Sequence, residues 1–440
     1  MFDAKRHLKA LCLPAQIAVL TLASFAASAQ TPPPIDLGKA QAAFDEARQV
    51  TERDGGRLWG MPIYGAMFFV DPETRFVVAN EPDMQGVLHK DGNVYVGTLP
   101  ASVIVSNAPT EWGGKRWTML MWPLYDEGST LTRHIVFAHE LFHRIQPALH
   151  LAAPDSLNLQ LDTAEGRLWL QLEWRALAAA LIDKGPAQTQ AIRDALAFRA
   201  HRHALFAGSA KSEASLEIAE GVPEDTGVTV GSPDIDSGRW RTIAKLTAPD
   251  QSMTFVRSFA YTSGPAYGLL LDQRMPGWRK KLTEQSDLGD LLASTLHGPV
   301  KDDAEKRASV YGASAIRMAE ADRSAKADAE KAHYRALLVD GPTLTLPSAG
   351  HFNFSFNPSA MISLGDSGAV NPTFHVTDSW GTLDVKGGTL VPTDFSRATV
   401  AAPADIKGPH VQGPGWTLDL APGWHIVPAT KPGSYIVQKV

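Results

Sequence analysis

Three successive patterns of apolar and polar residues divide the chain. An amphipathic stretch from about 36 to 51 predicts a helix that ends at Asp54-Gly55-Gly56. Short apolar runs between turn signals then predict strands at 61–70, 75–79, 93–96, 102–107 and 117–122. From about 131 the apolar spacing is helical, and helices are predicted at 131–146, 163–183, 186–206, 212–221, 254–274 and 303–338.

The pattern changes again after Gly341-Pro342. Phe352, Phe354 and Phe356 alternate with polar residues, and further alternating runs follow, separated by glycine and proline turns. Strands, then helices, then a separate β segment predict an α+β fold. We expect a leader and helix at 30–57, a main domain at 58–340 and a C-terminal β-sandwich-like accessory domain at 341–440.

The first 29 residues have the pattern of a secretory signal peptide. Lys5, Arg6 and Lys9 precede an apolar run that ends in the small residues Ala27-Ser28-Ala29. An uncleaved anchor is the alternative, but the small-residue ending favours removal. The single cysteine lies within this segment, so the mature chain would have no cysteine ligand for a metal. We therefore expect an exported protein, periplasmic or secreted, with no later membrane span.

Composition narrows the classes of function. The chain has 440 residues, of which 44% are hydrophobic and 20% charged, values that exclude a disordered or coiled-coil protein. It carries 41 Lys and Arg against 47 Asp and Glu, a formal charge of −6. This mild acidity, without any basic cluster, argues against a nucleic-acid partner.

One motif carries chemistry. Residues 132–147 read TRHIVFAHELFHRIQP, and His139, Glu140 and His143 form an HExxH pattern on a predicted helix. Residues at i and i+4 share one helical face, so both imidazoles can reach one metal ion. The alternative is a core helix in which Glu140 pairs with Arg144. Two histidines and a glutamate are costly to bury in an apolar helix without such a role.

A catalytic zinc ion needs a third protein ligand, which here would be His, Asp or Glu. We considered three glutamates. Glu165 follows Asp162 at the spacing of a capping box, which makes it a helix-capping residue. Glu173 lies in the apolar stretch LWLQLEWRALAAAL, where it could be a ligand, a partner of a ligand or half of a salt bridge. Glu220 lies in SLEIAEGVPEDTG, a short predicted helix that ends at a glycine.

HELFH followed by a downstream Glu-Gly pair resembles the gluzincin zinc metallopeptidases, which include thermolysin and the aminopeptidase N type. The resemblance implies a zincin-like catalytic domain with zinc held by His139, His143 and Glu220, with Glu173 as the alternative third ligand. Pro223 and Asp225 differ from the residues usual after that Glu-Gly pair. The long spacing implies an inserted helical hairpin between about 150 and 210.

A second resemblance lies in the sequence RSFAYTSG, which is similar to the Y-x-x-G element of the aminopeptidase N type. It implies that the Tyr261 hydroxyl stabilises the oxyanion of the reaction. A core tyrosine is the alternative. The G-x-M-E-N element that binds a free N-terminus in those enzymes is absent, which leaves exopeptidase or endopeptidase action open.

Together these features predict zinc-dependent hydrolysis of a peptide or protein substrate. Zinc would activate a water molecule, and Glu140 would act as general base. Tyr261 or Arg257 would hold the oxyanion, and the resemblance implies that the strand at 117–122 lines the cleft. Two alternatives stay open: a non-catalytic zincin scaffold that serves as an envelope binding protein, and an amidase acting on non-protein or cell-wall peptide amides.

Overall fold

The computed structural model describes residues 33–124, 129–249, 254–301, 303–350, 352–356 and 360–439. The predicted signal peptide lies outside the described residues. Within them, a six-stranded sheet and a large helical part precede two further sheets near the C-terminus. The predicted α+β class with a C-terminal β domain is therefore confirmed. None of the described helices is long and apolar enough to cross a membrane.

Helix α1 (Leu37–Glu52) packs on the first sheet. Asp36 caps the helix, because its side chain accepts a hydrogen bond from the backbone N–H of Lys39. On the buried face, the Phe44 ring stacks on Phe69 with 4.6 Å between the ring centroids. This helix therefore belongs to the main hydrophobic core.

The first sheet comprises β1 (Met67–Val70), β2 (Phe76–Ala79), β3 (His89–Asp91), β4 (Val94–Thr98), β5 (Ala108–Trp112) and β6 (Lys115–Met121). Their order across the sheet is β3-β4-β2-β1-β6-β5, so β5 is an edge strand. β1 and β6 run parallel, and the other neighbouring pairs are antiparallel.

The strand predicted at 102–107 is wrong, and the strand lies at β5 instead. Gly113 and Gly114, with φ of 59° and 76°, form the two-residue turn that joins β5 directly to β6. This turn fixes which residues pair. Asn107, just before the strand, uses its side-chain Oδ1 to accept a hydrogen bond from the N–H of Met121 at 2.8 Å.

The helical part is built from α2 (Thr130–Ile145), α3 (Ala164–Ile182), α4 (Gly185–Leu205), α5 (Ser209–Leu216), α6 (Val222–Gly231), α7 (Ile235–Thr247), α8 (Phe255–Arg274), α9 (Leu288–Ala293), α10 (Ala304–Ala308) and α11 (Ala313–Arg335). A π-helical turn (Glu217–Gly221) joins α5 to α6, and another (Ala336–Asp340) follows α11. Short 3₁₀ turns occupy Gln146–Leu149, Leu159–Asp162, Trp278–Lys281, Ser309–Tyr311 and Gly365–Ser367.

The two long helices predicted between His143 and Glu220 are confirmed: α3 and α4 pack together as a hairpin. The predicted helix end at Gly221 is wrong, because the chain continues into α6 with helical backbone angles at that glycine. A Cβ on Gly221 would be 3.1 Å from the backbone oxygen of Ala260 and 3.2 Å from the Cα of Gly264. Glycine is used here for close contact with α8 and not to end a helix.

The C-terminal part contains β7 (Thr343–Pro347), β8 (Asn353–Phe356), β9 (Ile362–Ser363), β10 (Ala369–Asn371), β11 (Phe374–Asp378), β12 (Gly381–Val385), β13 (Thr389–Val391), β14 (Arg397–Ala401), β15 (His410–Gly413), β16 (Trp416–Leu420), β17 (Trp424–Pro428) and β18 (Tyr435–Lys439). One sheet has the order β17-β18-β7-β14-β13-β10-β9 and the other β15-β16-β12-β11-β8. Leu344 and Val400 from the first share a core with Val376 and Leu418 from the second, as in a β-sandwich.

Candidate metal centre

Helix α2 places two histidines side by side. Ser129 caps the helix, and apolar residues such as Leu141 and Phe142 bury one face in the main core. His139 and His143 are one turn apart, and their Nε2 atoms are 3.0 Å apart. Both rings therefore converge on one point, as the HExxH spacing predicts.

Glu220, in the π-helical turn between α5 and α6, completes the centre. Its Oε2 lies 3.5 Å from His139 Nε2 and 3.4 Å from His143 Nε2. Zinc–ligand bonds of about 2.0–2.1 Å at tetrahedral angles would place ligand atoms about 3.3 Å apart. Among the described residues, these three form the one group of His, Cys, Asp or Glu side chains that could hold a metal ion. The cluster could hold a metal ion.

Close packing of α6 on α2 fixes Glu220 relative to the histidines. A Cβ on Gly227 of α6 would be 2.8 Å from the backbone oxygen of Ile135 and 3.3 Å from the Cβ of His139. The two helices therefore approach to backbone contact one turn from the ligands. The π-helical turn before α6 widens the helix locally, a feature that is frequent at functional sites.

Both histidines are oriented by outer partners. His139 Nδ1 lies 3.0 Å from Glu224 Oε2, and Lys245 Nζ donates to Glu224 Oε1 at 3.1 Å. His143 Nδ1 lies 2.8 Å from Gln146 Oε1, whose amide nitrogen donates to backbone carbonyls. Because these oxygens accept, each Nδ1 donates, and each Nε2 keeps its lone pair for a metal.

These two partners were not predicted from the sequence. A signal for Glu224 was present, because it follows Glu220 by four residues and so shares its helical face.

Tyr261 and Arg257, the predicted oxyanion partners, both reach the centre from α8. The Tyr261 hydroxyl donates to Glu220 Oε2 at 2.6 Å, and its ring stacks on His139 with 5.5 Å between the centroids. Arg257 Nη2 donates to Glu220 Oε1 at 3.2 Å, and Nη1 pairs with Asp155. Burial and the Glu220 charge raise the pKa of Tyr261, so the phenol stays neutral and can donate.

Glu140, the acidic residue of the HExxH motif, has one oxygen without a partner in the part of the chain that the structure describes. Its Oε2 is buried and has no hydrogen-bond partner among the described residues. Burial raises the pKa of Glu140, while the positive charges of His139 and His143 act in the opposite direction. This carboxylate lines the same cleft as His139 and His143, and its unpaired oxygen can accept a further hydrogen bond.

The charges of the centre favour a bound cation. Burial alone would lower the pKa of His139, but hydrogen bonds to Glu220 and Glu224 outweigh it and raise the pKa to about 10. Burial raises the pKa of Glu220, and its hydrogen bonds to His139 and His143 lower it by more. Glu220 and Glu224 are thus ionised at neutral pH, and a metal ion would replace the proton that His139 otherwise holds.

Comparison of the chain with protein-family models, with curated proteins and with solved structures found no match.

The metal centre opens into a cleft of about 360 Å³. The cleft is lined on one side by Asn107, Ala108 and Pro109, at the start of the edge strand β5. The expectation that residues 117–122 line the cleft is wrong: β6 lies between β1 and β5, and it contributes to the cleft through Arg116, just before that range. The N–H of Thr118 on β6 donates to Ala66 O, on the side away from β5.

The other two glutamates lie elsewhere. Glu173, the alternative third ligand, is fully buried and bound by Arg202 Nη1 at 2.6 Å and by the Tyr267 hydroxyl at 2.7 Å. Its charge is neutralised by an arginine from α4, so it has no need of a metal. Glu165 is exposed and accepts from Trp169 Nε1. The cap of α3 is Thr163, so the predicted Asp162 capping box is also wrong.

Glu173 belongs to a second cluster of buried charge, which we call the arginine network. Arg202 also binds Glu213, with Nη2 to Oε2 at 2.7 Å. Arg199 binds Glu217 through two hydrogen bonds of 2.8 and 2.7 Å. The arginine network therefore consists of Glu173, Arg199, Arg202, Glu213 and Glu217.

Proposed function

We propose that this protein is a zinc-dependent hydrolase of the gluzincin type that cleaves peptide bonds. The observation that supports it is the convergence of His139, His143 and Glu220 around one point, with the unpaired Glu140 Oε2 beside them. Two nitrogen ligands and one oxygen ligand leave a position open, which is the arrangement of catalytic zinc sites.

The donor set fits zinc better than other biological cations. Calcium and magnesium prefer six or more oxygen ligands, whereas two imidazoles and a carboxylate suit zinc. When bound, zinc supplies Lewis-acid activation of water and of a substrate carbonyl.

The residues of the chain supply the other parts of the reaction. Glu140 Oε2 accepts a proton from the attacking water and delivers it to the leaving amine. The neutral Tyr261 hydroxyl is a donor for the oxygen on which negative charge develops, and Arg257 adds a positive charge nearby. Glu224 and Gln146 hold the imidazoles in the tautomer that the reaction requires.

The cleft and the predicted signal peptide indicate which substrates the enzyme would meet. The edge strand β5 beside the ligands can pair with an extended peptide through its outward backbone groups. The signal peptide predicted at 1–29 would deliver the enzyme to the periplasm or the exterior. Peptides or proteins in that compartment are therefore the proposed substrates.

Zinc content tests the proposal most directly. Elemental analysis of mature wild type should give about one zinc per chain. Glu220→Ala should lose most of it, whereas Glu173→Gln, in the arginine network, should keep it if it folds. Circular dichroism establishes folding of both variants. A folded wild type that takes up no zinc would contradict the proposal and favour the non-catalytic scaffold.

A further inference from the structure

Arg116 on β6 lines the same cleft as the metal centre. Thr118, two residues further along the strand, shares its face of the sheet, and the Thr118 hydroxyl donates to the backbone oxygen of Glu140 at 3.3 Å. The side chain of Arg116 therefore projects from the sheet toward the helix that carries Glu140 and His143.

The guanidinium of Arg116 is only partly used within the protein. Its one hydrogen bond among the described residues joins Nη1 to Glu111 Oε1 at 2.9 Å. The Glu111 side chain is 66% exposed, so this ion pair is weak and easily exchanged. Arg116 Nε is buried and has no hydrogen-bond partner among the described residues. Nη2 makes no hydrogen bond among the described residues, so this terminal nitrogen is available for an additional acceptor in the cleft.

A second arginine, Arg144 on α2, lies close enough to Arg116 for their positive charges to interact. Arg144 donates from Nη2 to the backbone oxygens of Ile63 and Tyr64, which carry no negative charge. Among the described residues, Arg144 forms no salt bridge, and the one salt bridge of Arg116 is to the exposed Glu111.

On the opposite wall of the cleft, the arginine has no free terminal nitrogen. Arg257, the other arginine of the cleft, pairs through Nη1 with Asp155 and through Nη2 with Glu220. Both of its terminal nitrogens are therefore occupied by carboxylates of the protein. An anionic group entering the cleft would find free donors at Arg116.

We propose that Arg116 is a specificity-determining residue that binds a carboxylate of the substrate beside the bond to be cleaved. The inference rests on the proposed function and names its substrate class: peptides with a carboxylate near the scissile bond. Guanidinium groups favour carboxylates because two N–H donors can match two oxygens. An acidic side chain or a free C-terminus would supply the same group.

Three peptide hydroxamates test this on the zinc-loaded protein, because the hydroxamate binds the metal whether or not hydrolysis occurs. One carries aspartate with an amidated C-terminus, one asparagine with an amidated C-terminus, and one asparagine with a free C-terminal carboxylate. Titration calorimetry should show that at least one carboxylate probe binds about tenfold to a hundredfold more tightly than the neutral probe. The probe that gains affinity identifies the source of the carboxylate.

Variants then assign the preference to Arg116. Arg116→Gln should abolish it while leaving the affinity of the neutral probe unchanged, and Arg116→Lys should retain part of it. Arg239→Gln is the matched control, since Arg239 also pairs with an exposed carboxylate, that of Asp236, outside the cleft. Equal binding of all three probes to wild type, or an unchanged preference in Arg116→Gln, overturns the inference but leaves the metal centre intact. If no probe binds and zinc is absent, the proposed function fails and the inference fails with it.

Discussion

The metal centre and the arginine network both bury carboxylates in the helical part, but the partners of these carboxylates differ. In the arginine network, Glu173, Glu213 and Glu217 each contact a guanidinium within 2.8 Å. In the metal centre, Glu220 lies against two imidazoles, and one oxygen of Glu140 has no partner among the described residues.

This difference shows how the partners of a buried carboxylate distinguish a structural role from a role in binding or catalysis. A buried ion pair that is complete needs nothing from outside the chain, and losing one member leaves an uncompensated charge. In the metal centre, by contrast, Arg257 contacts only one oxygen of Glu220, the other oxygen converges with two imidazoles on one point, and an oxygen of Glu140 has no partner among the described residues. Burial of a glutamate alone therefore does not indicate its role, whereas its partners do.

The largest expected effect is on catalysis at the unpaired oxygen. Glu140→Gln should keep zinc but lower kcat by about 10²- to 10⁴-fold, because the amide cannot accept the proton. Peptide hydrolysis and elemental analysis of the same sample measure both properties. Glu165→Gln, at an exposed glutamate, should behave as wild type. Normal turnover by Glu140→Gln would remove the general base from the mechanism.

The arginine network should respond through stability. Arg202→Leu leaves Glu173 and Glu213 buried without their main cation, so the free energy of unfolding should fall by about 3–5 kcal/mol. Denaturant titration at neutral pH measures this loss. Arg317→Leu removes an exposed arginine and should cost less than about 1 kcal/mol. Similar losses in the two variants would mean that the arginine network does not stabilise the fold.

A smaller effect on zinc affinity is expected for a residue that contacts a ligand and not the metal. Glu224→Gln removes the carboxylate that accepts from His139, and zinc affinity should fall about tenfold to a hundredfold. Competition with a chelator of known affinity measures the change. Glu46→Gln is the matched control, because Glu46 also contacts a histidine, His134, away from the centre. An unchanged zinc affinity in Glu224→Gln would show that Glu224 does not support the ligand.

The smallest effect is a pH dependence of stability in the arginine network. Burial raises the pKa of Glu213, but Arg202 and His203 lower it by more, so it lies well below the ordinary 4.5. The stabilisation is therefore complete above pH 4.5 and is lost as the pH falls below it, by up to about 1.4 kcal/mol per pH unit. Unfolding measured from pH 7 to pH 3 should show this slope in wild type. A Glu213→Gln variant, less stable at pH 7, should show a flatter slope, and equal slopes would contradict the assignment.

The sequence allowed the ligand helix to be predicted because its signal is local. His139, Glu140 and His143 are close in sequence, and helical geometry alone brings them together. The alternating pattern after 341 likewise predicted the C-terminal strands. Local spacing could not give the partner of Glu173, because Arg202 comes from another helix.

The errors have the same origin. At Gly221 a local helix-end signal was outweighed by close contact between the π-helical turn and α8, which only the tertiary structure shows. The edge strand was predicted at 102–107 and lies at 108–112, because the Gly113-Gly114 turn determines which residues pair with β6. Glu224 and Gln146 were missed because a motif names ligands and not the residues that orient them.

The π-helical turn at 217–221 has a consequence for how the two clusters are connected. Glu217 and Glu220 both lie in it, the first bound to Arg199 and the second facing the histidines. Each residue of a regular helix advances by about 100°. Deleting one residue from this turn would rotate one of these glutamates away from its partners. Insertions and deletions in this turn should therefore be tolerated far less than in an ordinary helix. The same short segment determines the directions in which Glu217 and Glu220 point, and each belongs to a different cluster.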